Sequence, residues 1–240
     1  SCFGCSSPVH EDGRGCAFVS DSIQYRVEFM SEGCVRILSF PEGDTLVTKR
    51  LVVDSEKPAF KDYKWKDTGQ QLIFSTRELS VVFDKEDAAF TFQEVSTGKL
   101  LLKEKEAKKA RHFKRSVAGG EQCLEVTQRF VPTDDEAIYG LGQYQNGIMN
   151  YRGKSVLLLQ ANMDIVNPFL ISTNGYGILW DNYSSTKFED TKEGYSFTSE
   201  VGDASDYYFV YGKNMDEVVA GYRELTGDCL LYTSDAADDL

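Results

Sequence analysis

Residues Ile23-Gln24-Tyr25-Arg26-Val27-Glu28-Phe29 alternate apolar and polar side chains. Alternation with a period of two indicates a half-buried β-strand, because successive side chains of a strand point to opposite faces of the sheet. Residues 31–33 then read Ser-Glu-Gly, which has the composition of a turn, and residues 35–40 form a second apolar stretch that ends at Pro41. This part of the chain therefore predicts two consecutive strands.

Further predicted strands cover residues 46–53, 72–75, 78–83, 89–95, 100–102, 124–130, 156–160, 168–172, 177–181 and 207–211. They are short and follow one another at intervals of about ten residues, with almost no helical periodicity before residue 212. Many short strands separated by turns are typical of a sandwich or barrel. We therefore expect an all-β fold, a large antiparallel β-sandwich.

One helical pattern follows the strands. Its apolar stripe consists of Met215, Val218, Val219, Tyr222 and Leu225. Asn214 precedes the stripe as the predicted N-cap, Glu217 stands three residues later, and Gly227 is the predicted terminator. We expect one short amphipathic helix that buries its stripe either on the sandwich or on a following domain.

These patterns divide the chain into four parts. Residues 1–20 are predicted to be a flexible N-terminal segment, residues 21–212 the β-sandwich, and residues 213–227 a linker helix leading to a further domain. Residues 228–240 show neither pattern and carry four acidic residues and no basic one. This last segment resembles the translation of sequencing-adapter DNA, so we expect a non-native tail.

Composition excludes several partners. The formal net charge of −12 argues against nucleic acid, because binding to phosphates requires a clustered basic surface. The basic cluster from Lys103 to Arg115 is predicted to be a solvated arm. No apolar run approaches the roughly 18 residues needed for a membrane span, so none is expected.

The six cysteines are scattered along a chain that is large enough to fold without disulfides. Cys2 and Cys5 form the one C-x-x-C motif, with no second pair and no histidine at ligand spacing, so we expect no metal site and no cofactor. Either residue could instead be the acylated cysteine of a lipoprotein. A lipid anchor at Cys2 or Cys5 implies a location in the periplasm or at the cell surface of a bacterium.

No complete catalytic motif is present. Gly153-Lys154-Ser155 lacks the glycine spacing and the following helix of a phosphate-binding loop. His10 and His112 are predicted surface residues, and there is no G-x-S-x-G motif, so a catalytic triad is not expected. Asp164 and Asp181 lie in aromatic, amide-rich sequence, but a turn or strand-end role explains each better than catalysis.

Residues 136–182 are rich in amide and aromatic side chains, which sugar hydroxyls and ring faces require. Within this stretch the glycines of Gly140-Leu141-Gly142 are predicted to let two strands approach closely. Five blocks resemble glycoside hydrolase family 31 in order and spacing: Tyr139-Gly140-Leu141-Gly142-Gln143, Pro168-Phe169 with Ser172, Gly175-Tyr176-Gly177, Trp180-Asp181-Asn182, and Tyr222-Arg223-Glu224-Leu225-Thr226-Gly227. In that family the blocks belong to the galactose-mutarotase-like sandwich that precedes a (β/α)8 barrel.

The resemblance implies a retaining, exo-acting α-glycosidase of the α-xylosidase or α-glucosidase type, with both catalytic aspartates on the barrel. We therefore expect no catalytic residue in this chain, and a plant or dietary oligosaccharide bound through the barrel. A loop of the family's sandwich contacts the non-reducing-end sugar. The best positional match gives Gln160, Asn162 and Asp164 as candidate substrate-binding residues, although the family often has Asp where this chain has Asn162.

Two alternatives stay open. The chain could be a stand-alone carbohydrate-binding or mutarotase-like module, or a purely structural domain. Mutarotases use a histidine and a carboxylate as their acid and base, and the positions of His10 and His112 speak against that chemistry. An exposed apolar patch on the predicted helix favours the domain of a larger glycosidase, because such patches mark interfaces.

Overall fold

A computed structural model of the chain describes residues 8–44, 53, 59–106, 111–118, 120–160 and 164–227. The strands of these residues are, in chain order, β1 His10–Glu11, β2 Cys16–Ser20, β3 Ile23–Phe29, β4 Cys34–Pro41, β5 Lys64–Asp67, β6 Gln71–Ser75, β7 Leu79–Asp84, β8 Ala89–Glu94, β9 Leu100–Glu104, β10 Arg111–Ala118, β11 Glu121–Val131, β12 Ile138–Gln143, β13 Ser155–Leu158, β14 Ile165–Ser172, β15 Tyr176–Trp180, β16 Thr186–Thr191, β17 Gly194–Gly202 and β18 Ser205–Tyr211. A single helix among them, α1, covers Met215–Thr226. The all-β prediction is confirmed.

The strands form two antiparallel sheets. The eight-stranded sheet has the order β1-β2-β3-β4-β18-β15-β14-β12. The ten-stranded sheet has the order β13-β16-β17-β11-β9-β8-β7-β6-β5, and β10 pairs with β11 beside this path. Each strand predicted within the described residues lies within a few residues of its expected bounds. Several others, including β10, β16 and β17, were not predicted, because charged and hydroxyl side chains on their outer faces weaken the apolar alternation.

Aromatic side chains fill the space between the sheets. Phe92 of β8 stacks on Phe209 of β18 with ring centroids 4.2 Å apart, and Trp180 of β15 stacks on Phe197 of β17 at 5.5 Å. Each buried aromatic removes a large apolar area from water, so these pairs hold the two sheets together. β18 is buried over its whole length because the second sheet covers one of its faces and α1 packs against the other.

Helix α1 begins and ends as predicted. The Asn214 side chain accepts a hydrogen bond from the Glu217 N–H at 2.9 Å, and Gly227 follows the last turn with φ of 88°. The helix buries Val218 and Leu225 on the outer face of the eight-stranded sheet. Part of the predicted apolar stripe therefore packs on the sandwich itself, whereas Met215 and Val219 are 37% and 39% exposed.

The structured domain begins earlier than residue 21. β2 is paired with β3 from Cys16 to Ser20, and Cys16 and Phe18 are buried in the core between the sheets. The short strand β1 extends the same sheet to His10. The prediction of a flexible segment over residues 1–20 is therefore wrong for this part, because the apolar side chains of β2 have a second sheet to pack against.

The basic cluster is not a solvated arm in its described residues. Lys103 belongs to β9, and residues 111–115 belong to β10, which pairs with β11. Arg111 is buried and forms an ion pair with Glu104. The prediction failed because a run of charges was assumed to be solvated, although one of the arginines has a buried carboxylate as its partner.

The glycines of β12 do allow close strand approach. A Cβ atom at Gly142 would lie 2.0 Å from the Ile165 carbonyl oxygen, and one at Gly140 would lie 2.5 Å from that of Phe169. The predicted strand over residues 46–53, apart from Val53, the cysteines Cys2 and Cys5, and the tail at 228–240 lie outside the described residues. In the part of the chain that the structure describes, no helix is long and apolar enough to cross a membrane.

Candidate functional site

A cleft of about 290 Å³ opens at one end of the sandwich, and we call it the end cleft. Its described lining residues are Leu158, Leu159, Gln160, Val166, Pro168, Leu179, Trp180, Asp181, Asn182, Tyr183, Ser184, Ser185 and Thr186. They come from the end of β13, the start of β14, the end of β15 and the start of β16. The surface of the cleft is mainly apolar.

The end cleft forms where the chain twice crosses between the sheets. Residues 181–185 lead from β15 in the eight-stranded sheet to β16 in the ten-stranded sheet, and residues 159–164 lead from β13 back to β14. Leu158 is paired with Thr186, and Phe169 with Leu179, so the ends of both strand pairs face the same opening. Residues 181–185 and the described start of the second connection, Leu159 and Gln160, therefore line the cleft.

Asn182 holds the first of these connections in place. Its side-chain oxygen accepts hydrogen bonds from the N–H and the hydroxyl of Ser184, both at 2.8 Å, and its amide nitrogen donates to the Val201 carbonyl oxygen at 3.1 Å. A side-chain amide that bonds the backbone two residues later stabilises a tight turn. This turn directly follows Asp181, for which a turn or strand-end role was predicted.

Trp180 forms a wall of the end cleft rather than a stacking platform. The indole is wholly buried, and its Nε1–H donates to the Ser199 hydroxyl at 2.9 Å. That hydroxyl is also 2.7 Å from the hydroxyl of Thr186. The tryptophan is thus held by polar contacts behind the cleft, and Tyr183 presents the exposed aromatic side chain of the rim.

The three predicted substrate-binding residues have different outcomes. Gln160 lines the end cleft, and its Oε1 accepts a hydrogen bond from the Val166 N–H at 3.2 Å. Asp164 lies half-buried just before β14 and is absent from the described lining. Its charge acts instead on Tyr144: burial chiefly, and then the nearby Tyr151 and Asp164, raise the pKa of the Tyr144 hydroxyl to about 12. Asn162 lies outside the described residues. No sequence pattern indicated that Ser185 and Thr186 would join this site, because the site combines strand ends from both sheets.

A second polar cluster lies away from the end cleft around Glu136. This carboxylate accepts hydrogen bonds from Ser172 Oγ and from Tyr176 OH at 3.3 Å. Burial raises the pKa of Glu136 above its ordinary value, outweighing the opposite effect of these bonds and of Arg152. Arg152 Nε in turn donates to Asp190 at 2.9 Å. The cluster is enclosed and internally bonded, which fits a role in anchoring the surrounding loops.

The described lining of the end cleft lacks the pair of carboxyl groups that glycoside hydrolysis requires. A retaining glycosidase places two carboxyl groups about 5–5.5 Å apart on either side of the scissile bond. Asp181 is the single carboxylate among the described residues that line the cleft.

His10 and His112 are both exposed, on strands of different sheets, which confirms their prediction as surface residues. Among the described residues no cluster of three or more His, Cys, Asp or Glu could hold a metal ion.

A two-sheet antiparallel sandwich with these crossings is the architecture of a galactose mutarotase-like domain. The chain belongs to glycosyl hydrolase family 31, whose model for the N-terminal galactose mutarotase-like domain matches residues 24–189. The expected family is thereby confirmed.

Curated relatives of the chain include glycosidases from archaea and bacteria. An alpha-xylosidase of Saccharolobus solfataricus is 34% identical over 225 residues, which are 88% of this chain and 29% of that protein. Alpha-glucosidase 2 of Bacillus thermoamyloliquefaciens is 27% identical over 230 residues, which are 88% of this chain and 27% of that protein. The chain therefore spans less than a third of the length of these relatives.

Solved structures share the fold. The chain superposes on a family 31 α-xylosidase from Xanthomonas citri with a TM-score of 0.81 and 21% identity, covering 91% of this chain and 40% of that one. A family 31 α-xylosidase from a soil metagenome, complexed with xylose, gives a TM-score of 0.79 and 23% identity, covering 92% and 35% of the two chains. At these identities the likeness describes the fold alone.

Proposed function

We propose that this chain acts as the non-catalytic N-terminal domain of a retaining α-glycoside hydrolase, an α-xylosidase or α-glucosidase that degrades plant or dietary oligosaccharides. In this proposal the sandwich packs on a (β/α)8 barrel and contributes the segment around Gln160 and Asp164 to the rim of the sugar pocket. The observation that carries it is the 34% identity to an α-xylosidase over nearly the whole chain, which spans only 29% of that enzyme. The greater part of such an enzyme, outside the matched region, holds the catalytic groups.

The chemistry of the end cleft supports a non-catalytic role. Its described lining contains one carboxylate, Asp181, where a retaining mechanism needs a nucleophile and a separate acid/base. The Asp181 main-chain N–H donates to the carbonyl oxygen of Asp206 at 3.0 Å, which continues the sheet beyond the end of β15. A strand-end position of this kind accounts for Asp181 without a catalytic task.

The segment from Gln160 to Asp164 has the chemistry of a sugar-contacting rim. The Gln160 side chain is exposed, and with Oε1 accepting from Val166, its NH₂ group has donors suited to a sugar hydroxyl. A hydrogen bond to the backbone fixes the orientation of the amide before a ligand arrives, which lowers the entropic cost of binding.

The first test of this proposal is an activity assay on the 240-residue chain. We expect no hydrolysis of 4-nitrophenyl α-xyloside or α-glucoside by homogeneous protein, because the catalytic pair is supplied by the barrel. Turnover that co-purifies with the chain and is abolished by heat would overturn the non-catalytic assignment.

Calorimetric titration with xylose and xyloglucan oligosaccharides tests the alternative that the chain is a stand-alone carbohydrate-binding module. Saturable binding of these sugars by the chain alone would favour that alternative.

The contribution of Gln160 is tested in a hybrid enzyme. Residues 8–227 replace the matching region of the Saccharolobus α-xylosidase, and Gln160→Ala is compared with Gln70→Ala, an exposed glutamine in the β5–β6 turn. We expect Gln160→Ala to raise KM several-fold, in keeping with one lost hydrogen bond, and Gln70→Ala to leave it unchanged. Equal KM values for both variants in an active hybrid would remove Gln160 from the sugar pocket.

A further inference from the structure

We propose that Asn146 is a site of spontaneous covalent modification, at which the side-chain amide is lost and the residue becomes aspartate or isoaspartate. The reacting partner is the main-chain nitrogen of Gly147, the next residue in the chain. The sequence contains two Asn-Gly pairs, Asn146-Gly147 and Asn174-Gly175. The structure leaves the first pair free to react and holds the second in place.

The reaction joins the two residues of the pair in a cyclic imide, a succinimide. The Gly147 nitrogen loses its proton to hydroxide and forms a bond to Asn146 Cγ, and Nδ2 leaves with a proton from water as ammonia. Water then adds to one of the two carbonyl carbons of the ring. Opening at the side-chain carbonyl gives aspartate, and opening at the main-chain carbonyl gives isoaspartate, so either product carries a new negative charge.

The reacting groups at Asn146 and Gly147 are free. Both residues are exposed, in the turn region that follows β12. Within the described part of the chain, neither the Asn146 Nδ2 nor the Gly147 N–H donates a hydrogen bond. A Cβ atom added at Gly147 would meet no atom within 4 Å, so no neighbour restricts this position. Because glycine lacks a Cβ, nothing shields the attacking nitrogen either.

A hydrogen bond within the turn assists the attack. The Ile148 N–H donates to Asn146 Oδ1 at 2.9 Å. Negative charge develops on this oxygen when the Gly147 nitrogen bonds to Cγ. A donor that is already in place stabilises such charge, because it does not have to be oriented during the reaction. The turn therefore supplies a stabilising group for the first step.

Contacts on either side of the pair keep the strand ends in place while the turn reacts. The Tyr144 hydroxyl donates to the Leu141 carbonyl oxygen at 2.9 Å, and the Ile138 N–H donates to Asn150 Oδ1 at 3.1 Å. Neither contact uses an atom of Asn146 or its neighbour Gly147. Closure of the ring therefore does not require the domain to unfold.

The surrounding structure holds the second pair. The Asn174 Nδ2 donates to the carbonyl oxygens of Leu100 at 3.2 Å and Leu101 at 2.6 Å. The Gly175 N–H donates to the Ser172 carbonyl oxygen at 3.2 Å, and Gly175 is buried. The leaving amide and the attacking nitrogen thus both have partners. Reaction at Asn174 requires local opening of this turn, which the folded protein visits rarely.

Modification of Asn146 changes the end of the sandwich at which the end cleft opens. Gly142 of β12 is opposite Val166, which lines that cleft, and the turn follows β12 at this end. The new carboxylate adds negative charge there. Isoaspartate also inserts a methylene group into the main chain, which lengthens the turn. The charge and the backbone at this end therefore change as the protein ages.

Peptide mapping by mass spectrometry tests the proposal on the full 240-residue chain, kept folded at mildly alkaline pH and sampled over time. We expect aspartate and isoaspartate to accumulate at residue 146. Loss of the amide at residue 174 should be at least about tenfold slower, because it requires local opening. In guanidinium chloride the two sites should react at similar rates, because only the local sequence then distinguishes them. Equal rates in the folded chain, or no reaction at Asn146, would overturn the proposal.

Gly147→Ala tests the role of the main-chain nitrogen. It should slow the loss of the Asn146 amide at least about tenfold, because a methyl group then stands beside the attacking atom. Gly153→Ala is the matched control, because both glycines are exposed, have φ of 68° and 69°, and have open space at the Cβ position. Circular dichroism verifies that both variants are folded. Loss of the amide that yields no isoaspartate, at a rate unchanged in Gly147→Ala, would indicate direct hydrolysis and would also overturn the proposal.

Discussion

Glu104 on β9 and Arg111 on β10 form an ion pair inside the sandwich, with side chains 0% and 3% exposed. Glu104 also accepts hydrogen bonds from Gln128 Nε2 at 3.0 Å, Tyr207 OH at 2.7 Å and the Phe90 N–H at 2.8 Å. Burial opposes the charge of Arg111, but Glu104 holds the pKa of the guanidinium above its ordinary value. Both residues lie in the ten-stranded sheet, and the hydrogen bond from Tyr207 of β18 connects the buried pair to the eight-stranded sheet.

Arg111→Met should strongly destabilise the domain. It leaves Glu104 charged and uncompensated in the interior, and loss of one partner of a buried pair costs about 3–5 kcal/mol. Urea denaturation at neutral pH measures the loss. Arg115→Met, on the same strand but exposed, is the matched control and should change stability by no more than about 0.5 kcal/mol. Similar free energies of unfolding for the two variants would contradict a structural role for the pair.

Asn214→Ala should weaken the attachment of α1. The substitution removes the acceptor for the Glu217 N–H, and loss of such a cap costs about 1 kcal/mol. Lys213→Ala provides the control, because the contact of Lys213 with Glu217 uses the main-chain N–H, which alanine retains. Thermal unfolding followed by circular dichroism should place the control at the wild-type melting temperature and the cap variant below it.

Gly142→Ala should disrupt the pairing of β12 with β14. Gly142 has φ of 115°, and its new Cβ would lie 2.0 Å from the Ile165 carbonyl oxygen, so backbone must move. Strain of this kind and overpacking each cost about 1–3 kcal/mol. Gly153→Ala separates the two causes, because Gly153 also has positive φ, 69°, but open space around its Cβ position. A loss of stability for Gly142→Ala no larger than that for Gly153→Ala would show that the close approach does not matter.

Stability should fall with rising pH through Glu136. Burial chiefly raises the pKa of this carboxyl above its ordinary value of 4.5, so the folded state binds the proton more tightly than the unfolded state. The free energy of unfolding therefore decreases as pH rises from about 4.5 through the raised pKa, by up to about 1.4 kcal/mol per pH unit, and levels off above it.

Glu136→Gln isolates this effect, because it removes the titration and keeps an acceptor for Ser172 and Tyr176. Urea midpoints measured between pH 4.5 and pH 8 should decline less for this variant than for the wild-type protein. Glu200→Gln, at an exposed position of β17, should decline in parallel with the wild type. If the urea midpoints of all three proteins declined in parallel with pH, the result would contradict a raised pKa of Glu136 in the folded state.

Most of the fold could be predicted from local patterns in the sequence. The alternation of Tyr25, Val27 and Phe29 predicted β3 and its inward face, and all three are buried between the sheets. The cap at Asn214 and the terminator at Gly227 predicted α1, because capping depends on residues only three or four positions apart. Signals of this kind lie within one turn or one strand and can be read directly from sequence.

The ion pairs and the candidate site depended on distant residues. Glu28 has the outward parity of β3 and would be expected in water, yet it is buried because Arg36 donates to it from the neighbouring strand at 3.0 Å. The prediction of a solvated arm at Lys103–Arg115 was wrong for the same reason, because the spacing of charges does not identify Glu104 as the buried partner of Arg111. Gln160 lines the cleft, while its role in binding substrate stays a prediction, and the sequence did not indicate that the ends of β13, β14, β15 and β16 would meet there.

By itself the sequence determined the alternation of strands, the capped helix and the family, because each depends on local periodicity or on blocks in a fixed order. Only the tertiary structure decided which strand ends meet at the end cleft, and which charges lie inside the sandwich. Both depend on pairing between the sheets: Tyr207 reaches Glu104 across 103 positions of the chain, and no local pattern encodes a contact at that separation.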